Sequence, residues 1–438
     1  MREYFPKVQK VAYKGPKSLD PLSYRYYDPQ KLILGKPMRL WLKLSVAYWH
    51  TFTWPGSDPF GSPSLDRPWN EGSSPQIKAR NKADAAFEFF TKLGVDYFCF
   101  HDLDIAFERE TFAETLYEVK TSADYLMKKM AETGVKVLWG TANLFSHPRY
   151  MAGAFTNPNP EVFAVAAAQV KNALDITHEM GGENFVFWGG REGYETLLNT
   201  NMRQETEQMA RFFHMICNYK QKIGFKGAFL IEPKPCEPTK HQYDHDSASV
   251  HAFLLKHGLE KEFSLNLEAN HATLAGHSFA HEVAYALAHD LLGSIDANRG
   301  DSQLGWDTDQ FPMELSELSY IMYLLLREGK SLSGGFNFDA KVRRQSIDTT
   351  DLFYGHIAGI DALARSLEIG EKMVQNGCLQ SYLTQRYQQW HSSLGKEILE
   401  KNLPLEEVAQ LVDQHKLDPK PHSGRQEMLE AFLNNMLQ

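Results

Sequence analysis

The run Phe263-Ser264-Leu265-Asn266-Leu267-Glu268 is apolar along one face, breaks off at a carboxylate and continues as Ala269-Asn270-His271. Seven more runs of the same texture, rich in aromatic and β-branched residues, cover 40–48, 95–100, 135–140, 185–188, 228–232, 291–296 and 336–339. Each reads as a short strand. Between them lie stretches with helical spacing, among them 84–93 before Gly94, 124–133 before Gly134 and 161–180 before Gly181-Gly182, where glycine suits a helix C-cap. Strands alternating with helices imply parallel βαβ units, and eight such units close into an α/β (β/α)8 barrel of the TIM type. The rival is a doubly wound sheet. No GxGxxG opens the first helix, however, and strand-like runs recur as far as residue 339.

After Asp339 the texture changes. From Ser346 onward the spacing is helical, polar residues abound and no strand is visible. The expected organisation is an N-terminal extension (1–38), a catalytic barrel (39–340) and an all-helical tail (341–438). The tail has too little apolar material for a core of its own, and is expected to pack on the barrel or a neighbouring subunit.

The 438 residues are 43% hydrophobic and 23% charged, an ordinary globular mixture that excludes a disordered chain, a collagen and a coiled coil. The formal charge of −9 argues against nucleic-acid and anionic-membrane partners, which call for clustered positive charge. Cys99, Cys217, Cys236 and Cys378 are scattered, without a CxxC pair, and suggest neither a disulfide framework nor a thiolate metal site. The charged start Met1-Arg2-Glu3-Tyr4 shows no apolar signal core, and no apolar stretch nears the ~20 residues of a membrane helix. A cytoplasmic protein is expected.

In a (β/α)8 barrel, chemistry gathers at the C-terminal ends of the strands. Glu232, Glu268, Asp296 and Asp339 end four consecutive runs, and so fall at one level. Four carboxylates at one mouth repel one another unless some protonate or cations hold them. Oxygen donors without thiolates favour magnesium, manganese or cobalt over a structural zinc. His271, Asp307 and Asp309 bring the set to seven, too many for one small octahedral ion. A two-metal site bridged by Glu268 is the economical solution. Strand-end acids also serve as helix N-caps, but glutamate is a poor cap and occurs twice here.

His101 and Asp104 form a second element: the carboxylate can orient the imidazole and leave one ring nitrogen for proton transfer. A buried structural histidine is the alternative. Lys234, two residues after Glu232, can stabilise charge on a substrate oxygen, or form a surface salt bridge instead. Trp49, Trp139 and Trp188 end three further runs and suit either a dry pocket wall or core packing. Acids at the ends of the seventh and eighth runs disfavour a phosphorylated ligand and favour a neutral sugar or polyol.

These residues stand in long, specific motifs: Trp188-Gly189-Gly190-Arg191-Glu192-Gly193, Ile231-Glu232-Pro233-Lys234-Pro235, Leu267-Glu268-Ala269-Asn270-His271-Ala272-Thr273-Leu274-Ala275-Gly276-His277, Gly293-Ser294-Ile295-Asp296-Ala297-Asn298-Arg299-Gly300-Asp301, Gly305-Trp306-Asp307-Thr308-Asp309-Gln310 and Asn337-Phe338-Asp339-Ala340-Lys341. Across essentially its whole length the chain resembles xylose isomerase, of the longer class with an N-terminal extension. The resemblance implies a homotetramer of TIM barrels whose helical tails embrace partner subunits. It implies two divalent cations per subunit (Mg2+, alternatively Mn2+ or Co2+) and interconversion of D-xylose and D-xylulose, with D-glucose and D-fructose as a poorer pair. Glu232, Glu268, Asp296 and Asp339 would bind the ion that holds the substrate; Glu268, His271, Asp307 and Asp309 would bind the second. His101, backed by Asp104, resembles the ring-opening acid/base, and Lys234 the lysine near the C1 oxygen. Trp49 and Trp188 resemble the pocket walls, lined further by Thr141 and Phe145, and Phe60 the phenylalanine that enters a neighbour's site. Leu103 and Phe107 depart from the class, which commonly has a charged residue and a proline there. That leaves pH optimum and rate open, but not the reaction.

The expected reaction is ring opening followed by a metal-assisted 1,2-hydride shift; its mechanistic rival is a cis-enediol route. Two other functions compete: a dinuclear phosphodiesterase, against which the charge of −9 counts, and a sugar-binding module with structural metals.

Overall fold

A computed structural model describes residues 2–438. Eight parallel strands close into a barrel in sequence order: β1 (Leu44–Ala47), β2 (Tyr97–His101), β3 (Lys136–Thr141), β4 (Asn184–Trp188), β5 (Ala228–Glu232), β6 (Phe263–Glu268), β7 (Leu292–Asp296) and β8 (Phe336–Phe338). Closure comes from β8 pairing with β1, with Asn337 opposite Ser45. All eight expected strands are present. The first is shorter than its apolar run because Met38–Trp41 coils into a helical turn.

Eight long helices follow the strands: α1 (Pro75–Leu93), α2 (Phe112–Thr133), α3 (Pro160–Glu179), α4 (Met202–Ile223), α5 (Ser247–His257), α6 (Phe279–Ala288), α7 (Leu315–Arg327) and α8 (Thr349–Asn376). Two start well before the residues that hydrophobic spacing marks. The Ser74 side chain accepts from Ile77 N ahead of Pro75, and Thr111 forms a capping box with Glu114. Both end as expected, at Gly94 (φ 80°) and Gly134 (φ 79°), a left-handed conformation that costs glycine least.

The core lies between strands and helices and is dense in phenylalanine. Phe87, Phe89, Phe90, Phe98 and Phe100 are all buried, with Phe90 stacked on Phe98 at 5.4 Å. Inside the barrel, polar residues bond across strands beneath the mouth. Ser45 Oγ donates to Asn337 Oδ1, and the amides of Asn337 and Asn266 donate to Asp296. The N-terminal segment wraps the outside: Tyr4, Phe5, Val8 and Val11 are buried, and the backbone N–H groups of Arg25, Tyr26 and Tyr27 donate to Asp361 of α8.

Past residue 346 every regular element is helical. α8, started by a capping box of Asp348 and Asp351, packs against α7. Four shorter helices follow, and the last of them, Gln426–Met436, returns to the barrel: Leu433 and Met436 pack on a cluster of Tyr323, Leu324, Ile369 and Met373. Between them Trp390, Leu399 and Leu405 are exposed. Among the described residues no helix is long and apolar enough to cross a membrane.

Candidate metal and sugar site

The carboxyl ends of the strands open into a cavity of about 210 Å³. β5, β6 and β7 end on Glu232, Glu268 and Asp296, and Asp339 follows β8. Register aligns them: Glu268 pairs with Asp296, and Asp296 with Asn337. Each of the four offers an oxygen within 4.8 Å of the others. The same closeness unites Glu268 with Asp307 and Asp309, and Glu268 with Glu232 and His271, so Glu268 belongs to all three groups.

Burial, reinforced by the neighbouring carboxylates, drives Glu232 and Asp296 well above the usual carboxylate range. Burial likewise raises Glu268, to about 8, against the pull of His271. Protein cations settle the rim. Lys234 Nζ lies 2.5 Å from Asp307 and Lys341 Nζ 2.7 Å from Asp309. Burial would raise Asp307 too, but Lys234 and His271 hold it well below its ordinary value. His271 points Nε2 at Glu268 (2.9 Å) and Asp307 (3.4 Å), while Nδ1 lies 3.0 Å from the carbonyl of Pro233, which fixes the ring. At the centre the carboxylates outnumber the nearby cations. Six buried or half-buried carboxylates and one oriented imidazole form a donor set that fits divalent cations of the oxygen-seeking kind.

Beside this set His101 and Asp104 meet as the sequence suggests. Asp104 Oδ2 accepts from the His101 backbone N–H (2.8 Å) and lies 2.9 Å from its Nδ1, leaving Nε2 available to a ligand. Beneath them the buried ammonium of Lys82, lowered by burial to about 8, donates to the carbonyl of Asp104 and to Thr53. The ring of Phe107 lies 5.1 Å from that ammonium, so the departure at 107 supplies a cation–π contact to the support of Asp104. The other departure, Leu103, packs half-buried on the core.

The aromatic wall is continuous. Trp49 meets His101 edge-on at 4.6 Å, Phe145 lies 5.6 Å from His101, and Phe145 meets Trp188 at 4.5 Å. Thr141 and Trp139 complete this side, and Lys234 Nζ sits 5.3 Å from the Trp188 ring. Phe60 does not line this cavity: it is 84% exposed and lies beside Trp306.

Strand ends alone pass over two participants. His50 Nε2 bridges Asp309 (3.1 Å) and Asp339 (2.9 Å), and Asn298 Nδ2 donates to Glu268 and to the carbonyl of Asp339. His50 follows Trp49 in a helical turn, Trp49–Thr53, that alternation does not announce. Asn298 lies two residues past Asp296, where the same spacing picks out Lys234 after Glu232.

Comparison with known proteins agrees with this geometry. Residues 383–437 match the model of the XylA2 C-terminal domain. A solved structure from Rhodospirillum rubrum, described as a candidate xylose isomerase, shares the fold with a TM-score of 0.51 and 15% identity, over 74% of this chain and 98% of its own. The xylose isomerases of Actinobacillus pleuropneumoniae serotype 5b and of Haemophilus influenzae strain PittEE are each 56% identical over 437 residues, covering 100% of both chains. With that identity along its full length, and with the acidic mouth, the oriented histidine and the aromatic wall in one cavity, the chain belongs to the xylose isomerase family.

Proposed function

We propose that this protein is an aldose–ketose isomerase acting on D-xylose and D-xylulose, and more poorly on D-glucose and D-fructose. The observation that carries the reading is the convergence of Glu232, Glu268, Asp296 and Asp339 beside an oriented His101 and a buried Lys234. Glu232, Glu268, Asp296 and Asp339 would hold one divalent cation, and Glu268, His271, Asp307 and Asp309 a second; magnesium, manganese and cobalt suit these donors. When bound, such ions supply Lewis acidity that polarises sugar oxygens.

The chain's own residues do the rest. His101, its Nδ1 held by Asp104, moves a proton at the ring and C1 oxygens through Nε2 and so opens the sugar. Lys234 carries the positive charge that balances negative charge growing on O1. Trp49, Phe145 and Trp188 keep water from the reacting carbons, and Thr141 lines the same face. With solvent excluded, hydrogen passes from C2 to C1 as hydride and does not exchange.

An isomerisation assay on chelator-stripped protein, titrated with magnesium, manganese and cobalt across several aldoses, tests the function. Cation-dependent conversion of xylose is expected, and no conversion of any aldose overturns the reading. In deuterated water the product should carry no solvent deuterium at C1; substantial incorporation sinks the hydride route.

In this reading the protein works as a cytoplasmic homotetramer, with 1–38 an extension, 39–340 the catalytic barrel and 341–438 a tail clasping a neighbour. The exposed Trp390, Leu399 and Leu405 support a covered tail, and the exposed Phe60 suits insertion into a neighbour's cavity. Light scattering in solution should give about four times the 50.0 kDa chain mass. A mass of one chain overturns the assembly.

A further inference from the structure

Away from the barrel mouth, two histidines and two carboxylates converge where α5 and α6 begin. His277 precedes α6 and His281 lies in its first turn, with ring centres 4.9 Å apart. Glu282, also of α6, is buried, and Asp246 is the N-cap of α5. One ligand atom each from His277, His281 and Glu282 falls within 4.8 Å of the others.

Each carboxylate divides its oxygens between two tasks. Asp246 Oδ1 accepts from Ser249 N (2.7 Å), while Oδ2 faces His277 Nε2 at 3.2 Å. Glu282 Oε2 takes both the N–H (2.9 Å) and the hydroxyl (2.5 Å) of Ser247. Its other oxygen, Oε1, faces His277 Nε2 at 3.9 Å and His281 Nε2 at 4.0 Å. Those last two distances are too long for hydrogen bonds. They suit atoms that share an ion: with bonds of ~2.0–2.1 Å, tetrahedral ligand atoms lie about 3.4 Å apart, so a contraction of about half an ångström brings Glu282 Oε1 to that spacing from both imidazoles. The oxygens that point at the imidazoles are those not used to cap α5.

We infer that His277, His281 and Glu282, with Asp246 beside His277, form a further divalent-cation site, separate from the barrel mouth and selective for a zinc-like transition ion. The donors decide the selectivity. Two imidazole nitrogens suit zinc, nickel or copper and give little to magnesium, whereas the carboxylate-rich mouth takes the harder ion. His277 and His281 are partly open to solvent, which gives an ion a way in.

The position gives occupancy a structural consequence. Asp246 lies two residues beyond Asp244, whose carbonyl accepts from Lys234 N at 2.9 Å. His277 lies six residues beyond His271. An ion here ties the segment carrying Lys234 to the segment carrying His271 from behind, so it stiffens the mouth without touching the substrate.

Dialysis of the full-length, magnesium-saturated protein against micromolar zinc, with bound zinc counted by elemental analysis, tests the site. Wild type should hold about one zinc per chain that His277→Gln/His281→Gln loses, together with the zinc-dependent rise in Tm. His281→Gln alone changes an exposed side chain and keeps the test valid should the double variant fold poorly; it should bind zinc roughly tenfold more weakly. Glu268→Gln, at the mouth, should retain this zinc. Equal zinc content and affinity in wild type and both histidine variants overturns the proposal.

Discussion

His50 Nε2 lies 2.9 Å from Asp339 Oδ1, an oxygen that also accepts from Trp49 Nε1 at 2.8 Å. Two consecutive residues of one helical turn thus fix a single carboxylate at the barrel mouth. Burial alone would lower His50, but Asp339 and Asp309 outweigh it and lift the imidazole to about 9. Partners that orient a ligating carboxylate typically matter ~10–100-fold in cation affinity. His50→Asn should therefore weaken manganese binding to chelator-treated protein by that factor in calorimetric titration. Unchanged binding would refute the orienting role, and tighter binding would show His50 to be a competitor for the cation instead.

Glu268 stands in all three close groups of donors at the barrel mouth, so its charge has the widest consequences there. Glu268→Gln should cut turnover by ~10²–10³-fold. In chelated protein above pH 8, where Glu268 is ionised, the same change removes one charge from a crowded, buried set. The chelated variant should then be at least as stable as chelated wild type, while cation addition should stabilise wild type more. Urea unfolding of both proteins, with and without magnesium, checks the reversal.

Asp104 holds His101 by two contacts on one oxygen, the backbone N–H and Nδ1. Asp104→Asn keeps the shape but offers a neutral acceptor. A loss of roughly 10–100-fold in kcat is expected, with a shifted pH–rate profile and little change in KM. Steady-state kinetics across pH distinguishes this from general unfolding, which would leave the profile of the surviving enzyme in place.

His356 is wholly buried on α8, its Nδ1 2.7 Å from the carbonyl of Leu352 and its ring packed among Phe89, Phe311 and Phe338. Burial lowers it from 6.5 to about 4. A histidine depressed in the fold binds its proton more readily when unfolded. Its stabilisation is present above pH ~6.5 and drains away as pH falls toward 4, by on the order of a few kcal/mol in all. His356→Leu should flatten the difference in unfolding midpoints between pH 6.5 and pH 4 relative to wild type. An equal slope in both proteins would refute the assignment.

The barrel was legible because strand alternation and strand-end chemistry are local. A run such as 228–232 carries its own β signal and its own terminal carboxylate, and the strand matches it residue for residue. Helix starts were less legible, because the signals at Ser74 and Thr111 lie outside the apolar stripe. His50 was hidden by the turn that carries it, and Asn298 by the lack of any charge to flag it.

Sequence by itself determined the eight-unit order, the level at which Glu232, Glu268, Asp296 and Asp339 stand, and the pairing of His101 with Asp104, since spacing along a strand and across one turn fixes each. Tertiary structure alone decided which cations answer which carboxylates: His50 to Asp339, Lys234 to Asp307, Lys341 to Asp309. It alone brought Asp246 to His277, across 31 residues, at the junction of two helices. Those pairings depend on barrel closure and on how the loops fold back over the mouth, and neither is written in any local spacing.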